Sequence, residues 1–284
     1  MVKSEPSEAA LSTADLITNS PTALAFDVLA DRWALLIFRD LILGFRRFEE
    51  LRSRTGAARG TLTARLRSMI KNGVVYKNPY QTSPTRYEYR LTDKGLGLFP
   101  FAMLVWAWER KWTQDHDKLP AELFHRPCGK LTQPELRCRD CEELVYPRDV
   151  TYKAGPGTSP TSSGKSSAMR RRHPKTIQPE GVDPSFFHVV DIIGDRWTGL
   201  VVAAIFFRLR RYDDIGAAIG IATNILSDRL KRLTAAGVIE RRPYSTQPVR
   251  YEYRLTEKGR DLYGFTLMLH QWAEQWLVGE RGSG

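Results

Sequence analysis

An internal repeat runs through the 284 residues of this chain. The heptapeptide Arg86–Thr92 (RYEYRLT) returns unchanged at Arg250–Thr256. The same offset, with no gap, aligns 20 identical residues in the 40 positions of Gly56–Gly95 and Gly220–Gly259. The repeated unit is the size of a domain and exceeds the roughly 20 to 50 residues of a solenoid module. The chain therefore contains two copies of one fold.

Each unit, Leu24–Trp112 and His188–Trp276, has the pattern of a winged helix-turn-helix. In the first unit, apolar residues at helical spacing over 24–41 predict one helix, and residues 46–56 predict a short second helix. Residues 60–73 predict a third, amphipathic helix that ends near a glycine. Two strand-like runs bracket a turn-rich tip and predict a β-hairpin, the wing. The core positions of the amphipathic helix are Leu62, Leu66, Met69 and Ile70.

A last helix is predicted after Thr92, which is a good N-cap residue. Its apolar stripe is kept in both units while the polar positions drift. Either an internal core or a surface that pairs subunits explains such a stripe, and both can hold at once; Trp106 adds an aromatic side chain on another face. The stripe consists of Leu98, Phe101, Leu104, Val105, Trp108 and Trp112, matched by Leu262, Phe265, Met268, Leu269, Trp272 and Trp276.

The net charge of +11 and the pI of about 9.7 favour a polyanionic partner, and the fold favours double-stranded DNA. In a winged helix-turn-helix the second helix lies in the major groove and the hairpin lies over the backbone or minor groove. Arg86 and Arg250 return from the hairpin tips and are expected to contact DNA; the alternative is a solvated arginine. The predicted DNA-binding residues are Arg59, Thr61, Thr63, Arg65, Arg67, Lys71 and Arg86, and Thr223, Asn224, Ser227, Asp228, Arg229, Lys231, Arg232 and Arg250.

The two recognition helices differ at their polar positions, so we expect two non-identical half-sites. Asp228 repels phosphate but can accept a hydrogen bond from cytosine N4, and Asn224 can pair with adenine. Within the wing strand, Tyr87, Tyr89 and Leu91 alternate to one face, which predicts packing rather than base stacking.

These motifs resemble the HxlR-type winged-helix regulators of bacteria. The resemblance rests on Asp31-Arg32-Trp33, Arg46–Leu51, the L-x-x-R-L run from Leu62, Pro79-Tyr80 and the Tyr87–Gly95 close, each present again in the second unit. It implies a DNA-binding transcriptional regulator that is usually dimeric and binds a two-fold operator. Members often carry a cysteine before a proline for thiol sensing. Ser20-Pro21 and Asp183-Pro184 occupy those places here, so that kind of sensing is not expected.

Between the units, His125-x2-Cys128-x9-Cys138-x2-Cys141 has the spacing of a small zinc ribbon, and it contains all three cysteines of the chain. A Cys3His set of this kind predicts a closed, structural zinc site. Two alternatives stay open: a redox pair of Cys138 and Cys141, or three unreactive thiols.

The predicted fold class is mainly α with small β-hairpins (α+β), with two winged domains joined by a zinc-ribbon-like segment and a flexible linker. The linker is rich in Ser, Gly and Pro and has a net charge of +4. The predicted boundaries are a disordered leader 1–20, winged domain 21–119, zinc-ribbon-like segment 120–152, linker 153–183 and winged domain 184–284.

Other function classes find little support in the sequence. We see no H-E-x-x-H, G-x-S-x-G or dinucleotide fingerprint, and an enzyme is not expected. No apolar run reaches the roughly 18 to 20 residues of a membrane span, and no signal peptide is recognised, so we expect a cytoplasmic, nucleoid-associated protein. The leading hypothesis is a transcriptional regulator that acts as a repressor rather than as an activator. The alternative is that one winged domain binds DNA while the other pairs or senses an effector. A homodimer, an intramolecular pairing and a small-molecule effector all stay open.

Overall fold

The computed structural model describes residues 12–29, 31–113, 122–151 and 187–278. Residues 1–11 and the predicted linker 153–183 lie outside the described residues. Within the described part the protein is mostly helical, with three two-stranded antiparallel sheets.

The first repeat, with the segment before it, contains seven helices and one hairpin among the described residues. The helices are α1 (Thr13–Thr18), α2 (Pro21–Leu29), α3 (Arg32–Ile42), α4 (Phe48–Thr55), α5 (Arg59–Lys71), α6 (Asp93–Leu96) and α7 (Phe99–Trp112), and the wing strands are β1 (Val75–Thr82) and β2 (Thr85–Leu91).

A middle segment with two short strands follows, and then the second repeat with the same order of helices and wing strands. The middle segment has β3 (Phe124–His125) and β4 (Lys130–Leu131), and the second repeat has α8 (Phe187–Ile193), α9 (Arg196–Phe206), α10 (Tyr212–Ile219), α11 (Thr223–Ala235), β5 (Ile239–Thr246), β6 (Val249–Leu255), α12 (Glu257–Arg260) and α13 (Tyr263–Ala273), which continues as a π-helical turn to Val278.

The first helix of each helix-turn-helix ends at the glycine that the sequence predicts. Gly56 and Gly220 stop α4 and α10 in the left-handed region, with φ of 71° and 62°. The Thr92 side chain accepts a hydrogen bond from the Gly95 N–H and caps α6, and Thr256 caps α12 in the same way. The predicted winged helix-turn-helix is therefore present twice.

Two predicted helices are each divided. The single helix predicted over 24–41 is broken at Asp31, whose carboxylate caps α3 by accepting from the Trp33 N–H at 3.0 Å. The predicted last helix is broken after α6, and α7 starts at Phe99. Apolar periodicity continues across both breaks, so it could not locate them.

The prediction that Tyr87, Tyr89 and Leu91 pack on one face is correct for Tyr89 and wrong for Tyr87. Tyr89 is 8% exposed, and its N–H donates to the Arg46 carbonyl at 2.8 Å. Tyr87 is 45% exposed. The wing extends beyond the core, so strand alternation alone cannot tell how far along the strand burial reaches.

The two repeats pack directly on each other through equivalent residues. Phe101 of α7 meets its counterpart Phe265 of α13 edge-on, with ring centroids 5.9 Å apart. The indole N–H of Trp108 donates to the Lys258 carbonyl at 3.0 Å, and that of Trp272 donates to the Lys94 carbonyl at 2.8 Å. Residue numbers in these two bonds differ by the repeat offset, so the contact is isologous. The apolar stripe therefore serves core and pairing together.

Helices are also exchanged across this contact. Helix α2 of the first repeat packs on α9 and α13, and α8 of the second repeat packs on α3 and α7. The Arg196 guanidinium bonds the Asp27 carboxylate, and the Glu109 carboxylate accepts from the Val189 N–H at 3.0 Å. Each repeat thus completes the core of the other.

The leader prediction is wrong for residues 12–20. Ser12 and Asp15 form a capping box at the start of α1, and Ile17 is buried. Helix α1 packs on α9 and α10 of the second repeat.

None of the helices in the described ranges combines the length and apolar character that a bilayer crossing needs.

Replacing Gly199 by alanine tests the contact between repeats. A Cβ at Gly199 of α9 would lie 2.5 Å from the Phe26 ring of α2, so we expect Gly199→Ala to lower the free energy of unfolding by about 1 to 3 kcal/mol. Gly60→Ala in α5 is the control, because nothing lies within 4 Å of the added Cβ. Urea denaturation measures both, and equal stability of the two variants would contradict the packing.

Candidate nucleic-acid interface

The recognition helices α5 and α11 present similar but unequal surfaces. Thr61, Thr63, Asp228 and Arg232 are half-buried. The predicted DNA-binding residues that are exposed on these helices are Arg59, Arg67, Lys71, Thr223, Asn224, Ser227 and Lys231.

Arg65 and Arg229, predicted to bind DNA, point inward instead. Arg65 Nε lies 2.9 Å from Asp31 Oδ1, and Arg229 Nε lies 3.0 Å from Asp195 Oδ2. Arg229 is only 9% exposed. Sequence reasoning could not separate these arginines from their exposed neighbours, because an acidic partner distant in sequence leaves no local signal. We therefore no longer expect either to contact DNA.

The partners of these arginines sit where the two repeats meet. Asp31 and Asp195 pair with each other through an antiparallel backbone bridge. The Asp195 carboxylate also accepts from the Thr198 N–H at 3.1 Å and thereby caps α9. Each recognition helix is thus attached, through one arginine, to the contact between the repeats.

Both recognition helices begin after an alanine, Ala58 or Ala222, that makes no side-chain cap hydrogen bond. The N–H groups of the first turn are therefore not capped by that side chain, and together with the helix dipole they suit a phosphate oxygen.

Several predicted residues are held by neighbours within their own repeat. Arg59 bonds Glu49 at 2.5 Å. The Tyr212 hydroxyl donates to the Thr223 carbonyl at 2.6 Å and lies 2.9 Å from the Ser227 hydroxyl. These contacts orient the exposed start of each recognition helix.

Asp228 is neutralised within the second helix-turn-helix. Its carboxylate bonds the Arg229 guanidinium and lies 2.9 Å from Arg232 Nε. Two cations therefore surround the one acid on this face, which reduces its repulsion of a phosphate backbone.

The wings carry exposed arginines near their tips and exposed cations beside aromatic rings on their strands. Arg86 and Arg250 are exposed near the hairpin tips. On the strands, Lys77 Nζ lies 5.3 Å from the centre of the Tyr87 ring, and the Arg241 guanidinium lies 3.9 Å from that of Tyr251. These contacts hold the exposed cations against the wing strands.

Sequence reasoning missed a second pair of wing arginines. Arg47 and Arg211 are exposed, and each forms a backbone bridge to the returning wing strand, at Glu88 and Glu252. Their guanidinium groups lie 5.1 Å and 4.7 Å from the rings of Tyr80 and Tyr244. The Arg-Arg-aromatic run that occurs in both repeats is the signal that could reveal them, but the same run also predicts the start of a helix.

The acidic residues of the wings are hydrogen-bonded or ion-paired to neighbouring side chains. Hydrogen bonds from Asn78 and then from Arg90 lower the pKa of Glu88. Glu252 lies 2.5 Å from an Arg254 nitrogen in the second wing. Glu88 is therefore ionised at neutral pH, and each acid partly offsets the charge of its own strand.

The predicted zinc ligands form two separate pairs. His125 Nδ1 lies 3.4 Å from Cys128 Sγ. Hydrogen bonds from the backbone of Cys141 and of Asp140 lower the pKa of Cys138. Within the described ranges, no three His, Cys, Asp or Glu side chains are gathered as a metal site. The zinc site stays a prediction.

The two pairs share one backbone geometry. The Gly129 N–H donates to the His125 carbonyl at 2.8 Å, and the Glu142 N–H donates to the Cys138 carbonyl at 2.8 Å. Gly129 and Glu142 have φ of 65° and 61°. A residue in the left-handed region therefore follows each x2-spaced pair directly. This conformation is costly for Glu142, because Glu142 is not a glycine.

The model of the HxlR-like helix-turn-helix family matches residues 28–117 and again residues 192–281. The chain belongs to this family. Members are transcriptional regulators of the helix-turn-helix type rather than enzymes, and the family occurs here in tandem.

Relatives of this chain match between about a third and a half of it. An uncharacterized HTH-type transcriptional regulator of Mycobacterium tuberculosis H37Rv is 37% identical over 133 residues, which are 47% of this chain and 84% of that protein. The HTH-type transcriptional regulator YodB of Bacillus subtilis is 31% identical over 32% of this chain and 83% of its own. The crystal structure of PA1607, a proposed transcription factor, covers 50% of this chain and 100% of its own, at 31% identity and a TM-score of 0.44.

The inward role of Arg229 predicts a loss of stability in Arg229→Met. Removing one partner of a buried pair costs about 3 to 5 kcal/mol, and we expect about 2 to 3 here because the Asp195 side chain is still 17% exposed. Lys231→Met, two residues along the same helix but exposed, should change stability by less than about 0.5 kcal/mol. Urea denaturation distinguishes the two, and a neutral Arg229→Met would return this arginine to the list of DNA contacts.

Proposed function

We propose that this protein regulates transcription by binding double-stranded DNA with both repeats, so that one chain supplies two half-site readers. The observation that carries the proposal is the isologous contact, in which Asp31 meets Asp195 and Phe101 meets Phe265. A contact of this symmetry is what a dimeric regulator uses to hold two recognition helices against a two-fold operator. Here one chain contains both halves.

The two half-sites differ in this proposal because the recognition helices differ at equivalent positions. Gly60, Ala64 and Lys71 of α5 correspond to Asn224, Asp228 and Ala235 of α11. An amide and a carboxylate in α11 replace residues that offer no side-chain hydrogen bond in α5. Preference for adenine or cytosine is therefore expected in the second half-site alone.

The phosphate contacts are proposed to come from the wings. Arg86 and Arg250, with Arg47 and Arg211 beside them, give both repeats a similar set of exposed cations. Because backbone contacts carry no direct sequence information, this similarity is compatible with unequal half-sites. We propose repression as the outcome, since a chain that covers an operator can exclude polymerase without a further partner. Its place of action would then be the bacterial nucleoid.

A second candidate function is supported by the second helix-turn-helix. Ser227 contacts the Tyr212 hydroxyl and Asp228 contacts Arg232, so part of its polar surface is already engaged. In this alternative only the first repeat binds DNA, and the second pairs with it or senses an effector.

The wing contacts predict a change in salt dependence. Arg250→Ala should weaken binding to all duplex sequences and reduce the slope of log K against log salt by about one, because one phosphate contact is lost. Arg148→Ala is the control, since this exposed arginine belongs to the middle segment. Fluorescence anisotropy at several salt concentrations measures both slopes. An unchanged slope in Arg250→Ala would remove the second wing from the interface.

The recognition helices predict a local change in specificity. Asn224→Ala should relax preference at one base pair of one half-site, by about 1 to 3 kcal/mol of discrimination. Selection of bound sequences from a random duplex pool, with each variant, shows the preference position by position. Uniform weakening at all positions would mean that Asn224 contacts only the backbone.

We propose in addition that His125, Cys128, Cys138 and Cys141 hold one structural zinc ion. The shared backbone geometry of the two pairs and their donor types support this, although binding would require the pairs to approach each other. Protein purified without chelator should contain about one zinc per chain, and Cys138→Ser should contain far less. Metal analysis that finds no zinc in the parent protein, freshly loaded with excess zinc and then desalted, would contradict the site.

A further inference from the structure

Each repeat has a groove between its first long helix and its last helix, and different segments cover the two grooves. In the first repeat the groove between α3 and α7 is covered by residues 122–127 of the middle segment. In the second repeat the groove between α9 and α13 is covered by α1, by the start of α2 and by Val150 and Thr151. We call the space in the second groove the second-repeat pocket.

The second-repeat pocket is a cavity of about 280 Å³ with mainly apolar walls. This volume is close to the lower end of the range for small-molecule sites. Aromatic rings form much of its lining, from both repeats. The residues that define it are Ile17, Phe26, Phe206, Phe207, Tyr263 and His270.

The pocket differs chemically from its counterpart in the first repeat. The last helices differ at three equivalent positions. The first repeat has two apolar residues and a tryptophan there, and the second repeat has two residues with hydroxyl groups and a histidine. The pairs are Phe99 and Tyr263, Ala102 and Thr266, and Trp106 and His270. At these positions α13 thus has three hydrogen-bonding side chains, whereas α7 has only the indole N–H of Trp106.

The residues at and beneath the floors of the two grooves differ as well. In the first repeat Arg39 and Asp40 form an ion pair at 2.8 Å, and Arg54 lies 3.0 Å from the same carboxylate. The equivalent residues in the second repeat are Ala203, Ala204 and Ala218. Where the first repeat has this charged cluster, the second has three small apolar residues, of which Ala203 lines the pocket. The second groove is therefore uncharged at its floor.

We propose that the second-repeat pocket binds a small uncharged aromatic compound that carries one hydrogen-bonding group. Rings of Phe26, Phe206 and Phe207 provide stacking and edge contacts for a planar apolar body. The volume has room for about one fused bicyclic ring system. The floor offers a charged ligand no counter-ion, and the one carboxylate in the lining, that of Glu274, already has His270 as its neighbour.

The hydrogen-bonding group of the ligand is proposed to face His270. Its Nδ1 lies 3.1 Å from the Thr22 hydroxyl, and its Nε2 lies 3.4 Å from a Glu274 carboxylate oxygen. These three side chains come from α2, α13 and the π-helical turn, and all line the pocket. A ligand hydroxyl or amine can join this chain of donors and acceptors at its rim.

The site lies next to the second helix-turn-helix. Leu16 and Ile17 of α1 line the pocket, and α1 packs on α10, the first helix of that motif. A ligand that shifts α1 therefore acts directly on the element that supports α11. This regulatory consequence rests on the proposed function, whereas binding itself does not.

Calorimetric titration of the free full-length chain with 2-naphthol tests the proposal. We expect saturable binding of one 2-naphthol per chain. His270→Trp, which installs the residue of the first repeat, should weaken binding at least tenfold, and Leu267→Trp should do the same by filling the pocket. Met103→Trp, the equivalent position in the first groove, is the matched control and should bind as the parent does. Thermal unfolding confirms that each variant is folded.

The outcomes separate clearly. No saturable binding by the parent chain, or equal binding by the parent and by both folded pocket variants, overturns the proposal. Binding lost in Met103→Trp but kept in Leu267→Trp would assign the ligand to the first groove and also overturns it. Because no DNA is present, none of these results depends on whether the chain binds an operator.

Discussion

The carboxylates of Asp31 and Asp195 hold the DNA-binding elements to the centre of the molecule. Each caps the first long helix of its repeat and bonds an arginine of its recognition helix, and their backbones pair with each other. These ion pairs link the position of each recognition helix to the contact between the repeats. If both helices bind one operator as proposed, this pair of acids helps to set the spacing of α5 and α11.

Duplication within one chain removes a restriction that a homodimer imposes. Two identical subunits must use the same residues on both sides of their contact, but two covalently linked repeats can diverge. The contacts at the centre have stayed equivalent, as the indole bonds of Trp108 and Trp272 show. Away from it, Arg39 corresponds to Ala203, and Gly60 corresponds to Asn224. The two repeats are therefore equivalent at their contact and in the returning wing strand, and they differ in the recognition helices and in the grooves beside the last helices.

The fold was largely predictable from the sequence, because helix stops such as Gly56, caps such as Thr92 and the repeated wing strand are local signals. The break at Asp31 and the inward turn of Arg229 were not, since each depends on a partner far away in the chain. The leader was misjudged for a similar reason. Ile17 is buried only because the second repeat supplies a surface for α1, and composition cannot reveal that.

The central claim is that one chain supplies both half-site readers. The most direct measurement is native mass spectrometry of the protein on duplexes selected from a random pool, with the selected motif determined in parallel. We predict one chain per duplex on a motif of two related, unequal half-sites whose centres lie about 34 to 36 Å apart. Two chains on a symmetric motif, or one chain on a single half-site, would contradict this account.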